Sequence, residues 1–211
     1  PPPPPPPADR PAVFTVSNVR LPTRRLLLAL CDGSVDVAVE FSYLPERSEC
    51  ARYPMKGDVP DSKRRLDSLS YHLYTKEGTQ VTWDGVRFNN VDGRLGANVG
   101  FSIVAHLETM GIKVETAPDT DNNLAKLDAG RISGYVQLST KADEILLLNK
   151  TLRITKQPIP VRTTDYYIIF SQRYYAKHPE RVERLWTRLG EIRDDSIKTL
   201  TPRYMQMRLA K

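Results

Sequence analysis

The chain has 211 residues, 40% hydrophobic and 27% charged, and carries a formal net charge of +6 from 31 basic and 25 acidic residues. That length can bury one large core or two modest ones, and the composition excludes a disordered or fibrous chain. The positive balance brings anionic partners into view, but the basic residues are dispersed among acids and no recognition motif accompanies them, which argues against nucleic acid.

Pro1–Pro7 is a homopolymer with no apolar face to bury, so it reads as a polyproline II rod or disordered tail, residues 1–12 in all. Val13–Val19 alternates as a strand does, and Thr23–Leu30 reads as a helix with Thr23 as N-cap and Asp32-Gly33 as its stop. Val35–Phe41 is an apolar, β-branched run suited to a buried parallel strand, so these three elements predict a right-handed crossover unit. Residues 44–67, rich in Pro, Arg and Asp, read as loop.

Leu69–Thr75 alternates again, and Lys76–Thr79 is a polar turn. The second half repeats a strand–helix rhythm. Gly93–Ala97 is a strand and Gly100–Met110 a helix stopped at Gly111; Lys113–Thr116 is a strand and Asn122–Ala129 a helix closed by Gly130. Gly134–Leu138 is a strand, Lys141–Leu148 a helix, Leu152–Thr155 an edge strand and Tyr166–Ser171 a buried strand. Pro179–Ile192 is an amphipathic helix through Val182, Leu185, Trp186 and Leu189, and Asp195–Met205 is a short helix or an extended tail. The rhythm breaks near residues 72 and 170, which predicts an α/β chain of two mostly parallel-sheet lobes: residues 13–72 with 172–211, and residues 73–171.

No stretch approaches the ~20 apolar residues of a membrane-spanning helix. No signal peptide is visible, so an export signal would have been cleaved or left out. Cys31 and Cys50 either close a short loop as a disulfide or remain two core thiols. His72, His106 and His178 lack metal-ligand spacing, so no metal and no cofactor are expected.

Two segments share one grammar of helix, Leu-x-x-Gly-x-x and strand: Leu27 to Ala38, and Leu124 to Tyr135. Together with Ser42-Tyr43-Leu44-Pro45-Glu46-Arg47, Gly93 to Gly100, Tyr166 to Ser171 and His178-Pro179-Glu180, they resemble the bacterial periplasmic solute-binding proteins of the polar amino acid type. The resemblance covers roughly residues 14–205. It implies a periplasmic-binding-protein-like fold whose two lobes close on a small ligand about hinges near Tyr71–Thr75 and Tyr167–Ser171. It also implies a permease of an ABC transporter, or a sensor partner, as the protein contacted, a periplasmic location, and a monomer. Such proteins begin with one further strand and helix before the position of Val13, so the first lobe is expected to be incomplete.

The resemblance implies that Arg47 grips a ligand carboxylate through paired hydrogen bonds, and that Ser42, beside Tyr43, helps hold it. Gly100, Phe101 and Ser102 open the second lobe's first helix, where free N–H groups favour an anion. Alternation puts Tyr135 and Gln137 on one side of their strand, and they are expected to face the cleft. Leu138 stands where the amino-acid binders have an Asp that pairs with the ligand ammonium. A buried ammonium without a carboxylate is costly, so the expectation is a ligand other than a standard α-amino acid, a carboxylate or other anion, or no ligand at all. Trp186 has core spacing, whereas Trp83 could stack on a ligand. An enzyme of this fold, a dehydratase, would need a cleft carboxylate as acid, and Glu40 is the one to test. No nucleophile elbow, Walker loop or paired-carboxylate motif appears, so the expectation is binding without catalysis.

Overall fold

A computed structural model describes residues 15–209 of the chain. Pro1–Pro7, and the Val13 start of the first expected strand, lie outside the described residues. Residues 15–20 have no regular structure and are exposed, Val16 at 68%. Alternation alone does not make a strand where no neighbour supplies hydrogen bonds. The expected crossover unit is therefore absent among the described residues.

Helix α1 (Thr23–Asp32) follows, entered through Pro22 without a side-chain cap and ended by Gly33 in the left-handed conformation at φ 73°. Leu26, Leu27 and Leu30 share the face it packs inward. Strand β1 (Val37–Ser42) then leads into a 3-10 turn at Pro45–Glu49 and the short strand β2 (Ala51–Arg52). A small hairpin of β3 (Met55–Lys56) and β4 (Val59–Pro60) and a second 3-10 turn at Ser62–Arg64 precede β5 (Asp67–Lys76). Another two-stranded hairpin, β6 (Thr82–Trp83) with β7 (Phe88–Asn89), precedes β8 (Leu95–Asn98). Helix α2 (Ser102–Thr109), β9 (Val114–Ala117), α3 (Thr120–Asp128), β10 (Gly134–Leu138) and α4 (Ser139–Leu148) build the second lobe. Strand β11 (Ile154–Ser171), α5 (Gln172–Lys177) and α6 (Pro179–Leu209) complete the chain.

One seven-stranded sheet runs in the order β1-β11-β5-β10-β8-β9, with β2 also paired to β11. β8 pairs in parallel with β9 and β10, as expected for the second lobe. β1 is antiparallel to β11, with Val37 opposite Phe170 and Ser42 opposite Tyr166, which corrects the expected parallel strand. Nor is the run buried throughout, as was expected: β1 lies at the end of the strand order, and Val39 and Glu40 are exposed. The expected strands at residues 152–155 and 166–171 are the two ends of β11, an 18-residue strand. Pro158 and Pro160 hid its middle, and the register against β5 shifts around Pro160, a position where a strand tolerates a residue without an N–H. β5 and β11 thus run through both halves of the molecule as a joined pair.

Two clusters fill the first lobe. One gathers Leu30, Ala38, Phe41, Tyr53, Tyr167 and Ile169 under α1; the other packs Phe170, Val182 and Trp186 under α6. The second lobe buries Leu73, Leu95, Ile103, Leu107 and Val136 on one side and Tyr74, Leu124, Leu127 and Tyr135 on the other. α6 is one helix of 31 residues, about 46 Å long at 1.5 Å per residue, rather than a helix and a separate tail. Gly190 lets it lie against the 62–64 turn: a Cβ there would fall 2.5 Å from the Lys63 carbonyl oxygen.

Cys31 and Cys50 form a disulfide across 19 residues, tying the end of α1 to the start of β2. Closing a loop of this size restricts the unfolded chain by roughly 3 kcal/mol. Reduction and alkylation are therefore expected to lower Tm by roughly 6–12 °C in scanning calorimetry. An unchanged Tm would contradict that role.

Candidate functional site

The floor of the cleft is made where β1 ends and β5 and β11 pass beneath it. Pro45 starts the 3-10 turn after β1, and the Arg47 N–H donates to the Leu44 carbonyl at 3.0 Å. The turn folds Arg47 back over β1. Its Nη1 donates to the Ser42 carbonyl at 2.7 Å and to Ser42 Oγ at 3.1 Å. Nη2 donates to the Gly100 carbonyl at 2.7 Å, and the guanidinium lies 5.5 Å from the Phe41 ring centroid. Tyr53 holds the Ser42 carbonyl from the other side at 2.9 Å.

The facing wall is the loop from β8 into α2. Gly100 takes φ 79°, a left-handed conformation that favours glycine. Ser102 follows as the first residue of α2, and Ser42 Oγ donates to Ser102 Oγ at 2.9 Å. Two direct hydrogen bonds, Arg47–Gly100 and Ser42–Ser102, therefore join the walls.

Below them Tyr166 donates to Tyr71 Oη at 2.7 Å. Burial pushes the Tyr71 and Tyr166 hydroxyls well above the ordinary phenol range and Tyr53 up to about 12, so all three stay protonated at neutral pH. The cleft encloses about 240 Å³, also lined by Glu40, Phe41, Phe101, Leu138 and Lys141. That is somewhat below the usual range of about 300–1,000 Å³ for small-molecule sites.

Of the residues expected from sequence, Ser42, Arg47, Gly100, Phe101 and Ser102 all line this cleft. Tyr43 instead packs edge-on against Tyr53, with ring centroids 5.2 Å apart. Tyr135 and Gln137 do share one side of β10, as alternation required, but that side faces the inside of the second lobe, where both are fully buried. Gln137 Nε2 donates to Tyr135 Oη at 2.6 Å and to Thr120 Oγ1 at 2.8 Å, and Tyr135 donates to Asn98 Oδ1 at 2.8 Å. Asn123 Nδ2 donates to the same oxygen at 2.8 Å. This network ties the ends of β8 and β10 to α3, behind the wall rather than on it. Trp83 is buried beside Phe88 and donates to the Pro160 carbonyl at 3.1 Å, so it does not reach the cleft.

Tyr71, Tyr166 and Lys141 were not among the expected site residues. The two tyrosines sit on β5 and β11, whose alternation marked them only as buried. Lys141, in the first turn of α4, carried no signal apart from its place just after β10. Among the described residues no group of side chains is arranged to hold a metal ion.

Neither a known protein-family profile nor a curated protein matches the sequence. Solved structures do match. The amino acid ABC transporter substrate-binding protein AbpA from Streptococcus pneumoniae, bound to L-arginine, superposes with a TM-score of 0.66 at 12% identity, over 84% of this chain and 70% of that one. Holo ArgBP from T. maritima gives 0.63 at 13% identity, over 82% and 70%. The arginine-, lysine-, histidine-binding protein ArtJ from Geobacillus stearothermophilus gives 0.60 at 14%, over 82% and 70%. The fold is that of the two-lobed, periplasmic-binding-protein-like chains, of the type found in amino-acid ABC-transporter substrate-binding proteins.

Proposed function

We propose that the chain is an extracytoplasmic solute-binding protein that captures a small carboxylate-bearing solute between its lobes for an ABC-type permease, without chemical turnover. The observation that carries this reading is Arg47. It is 7% exposed, yet among the described residues no carboxylate pairs with it. An uncompensated buried cation is unfavourable, and an incoming anion relieves it. Among the described residues its three hydrogen bonds use three of the five guanidinium N–H groups, which leaves two for a solute carboxylate.

The surroundings suit the same partner. Ser42, Ser102 and the protonated Tyr71–Tyr166 pair offer further hydroxyls, and Lys141 adds a second positive charge. Solute entry requires the Arg47–Gly100 and Ser42–Ser102 bonds to part, by bending of β5 and β11. The three structural relatives named above are described as binding proteins, which supports capture rather than catalysis. A disulfide is what an oxidising, extracytoplasmic compartment permits.

Isothermal titration against C3–C6 mono- and dicarboxylates and amino acids tests the reading. Saturable one-to-one binding of a carboxylate-bearing solute, recovered chemically unchanged, is the expected result. A panel without any binding contradicts capture, and a converted solute contradicts the absence of catalysis.

A further inference from the structure

The face that α6 buries near its start is left open further along. Val182 and Trp186 are fully buried against the first lobe, and Arg193 is 9% exposed. Steps of three or four residues carry the same face on from Arg193 through Ile197, Leu200 and Tyr204. Those three are 41%, 40% and 58% exposed, and no residue from Asp194 to Tyr204 is buried. The helix runs on to Leu209, about 24 Å past Arg193 at 1.5 Å per residue. An apolar stripe continued beyond the core of the first lobe adds nothing to that core.

Charge says what would cover it. At about 100° per residue, Lys198 and Arg203 stand on opposite edges of the stripe, and both are exposed. Among the described residues neither forms an ion pair. From Ser196 to Lys211 the sequence holds four basic residues and no acidic one. Long basic side chains lay their stems along apolar surface and keep their charge in the polar layer above it. A stripe edged by cations therefore fits an apolar layer topped with anions, which is the boundary of an anionic phospholipid bilayer.

A second copy of the chain fits less well. Paired over the same stretch it would set basic edge against basic edge, and three large side chains fall well short of the ~20–30 residues a side of a stable interface. Among the described residues no helix is long and apolar enough to cross a membrane, so this stretch would lie on the surface rather than pass through it. We propose that residues 194–209 of α6 are an interfacial helix that docks the chain on an anionic phospholipid surface. Ile197, Leu200 and Tyr204 enter the acyl boundary, and Lys198 and Arg203 meet the phosphates. None of the residues lining the cleft comes from α6, so solute capture and lipid docking do not compete. A chain held in this way stays close to a membrane-embedded partner, which raises its effective concentration there.

The test is co-sedimentation of the full chain with POPC vesicles containing about one third POPG, and with pure POPC vesicles. Wild type is expected to partition at least about tenfold more strongly onto the POPG vesicles, and high salt to release it. Lys198→Gln/Arg203→Gln is expected to weaken that partitioning about 30-fold, from about fivefold (~1 kcal/mol) per charge. Leu200→Ser is expected to weaken it at least about tenfold through lost apolar burial alone. Lys113→Gln/Lys177→Gln removes two exposed charges away from α6 and is expected to change it by less than about twofold. All of these variants are expected to keep Tm within about 2 °C, since the substituted side chains are exposed.

Absence of sedimentation with POPG vesicles, or equal sedimentation with both kinds, overturns the proposal. So does a loss in Lys113→Gln/Lys177→Gln as large as in the α6 pair, which would make binding a matter of net charge. A concentration-dependent dimer in analytical ultracentrifugation, abolished by Leu200→Ser, would give the stripe to a second copy and overturns it too. Solute capture stands in each case.

Discussion

Arg47→Ala is expected to eliminate measurable solute capture while the chain still folds. Among the described residues the substitution removes the only guanidinium on the cleft wall and three hydrogen bonds, two to Ser42 and one to Gly100. Truncating one member of a buried, hydrogen-bonded charge pair costs about 2–5 kcal/mol of binding, or roughly 30- to 5,000-fold in Kd. Stability should fall less, by about 1.5–3 kcal/mol, since Tyr53 still satisfies the Ser42 carbonyl and the first-lobe core is untouched. Arg47→Lys should not restore binding, because an ammonium cannot reach Ser42, Gly100 and a carboxylate together as a planar fork does. Titration calorimetry paired with thermal denaturation separates the two effects. Unaltered affinity in a folded Arg47→Ala chain would remove Arg47 from the site.

The largest expected effect on stability lies elsewhere, at Trp186. Its ring is fully buried, 5.7 Å from Phe170 and 5.9 Å from Tyr175, with the Arg64 guanidinium 5.7 Å over its face. Its Nε1 donates to the Ile168 carbonyl at 2.7 Å, fixing α6 to the end of β11. Trp186→Ala leaves a cavity and an unpaired carbonyl, and should cost about 3–5 kcal/mol, a large share of a typical 5–15 kcal/mol total. Urea denaturation should show this loss. Hydrogen exchange should localise the opening to α6 and the adjoining end of β11, with β8–β10 protected. A loss below 1 kcal/mol would mean that α6 is not a structural part of the first lobe.

Much of the second lobe could be read from its sequence because each element carries its own punctuation. Gly111 and Gly130 close α2 and α3, and the Asp119 side chain caps α3 by accepting from the Asn122 N–H at 2.8 Å. β11 was legible only at its ends, since its two prolines contradict a strand unless the register shifts around them, and register is a property of the partner. β1 was legible as a strand, but not as antiparallel or as half exposed, because direction and cover are set by β11 arriving from more than a hundred residues away.

The site divides along the same line. Ser42, Gly100 and Ser102 stand at or beside the ends of elements, and Arg47 lies within the turn that Pro45 opens, where local signals place them. Tyr135 and Gln137 were assigned to the correct side of β10, but α3 decides what covers that side, and no alternation reports it. The register shift between Ala38 and Phe41, which spans Glu40, leaves no mark in Val-Ala-Val-Glu-Phe, which reads as an unbroken strand. Lys141 enters only through the position of α4 relative to β1, a long-range relation.

The most direct measurement is the crystal structure of the chain with the solute that titrates most tightly. The account predicts electron density for that solute between β1 and the start of α2. Its carboxylate should lie about 2.7–2.9 Å from Arg47 nitrogen atoms and within hydrogen-bond reach of Ser42 or Ser102. A solute bound elsewhere, or one whose carboxylate lies away from Arg47, would contradict it.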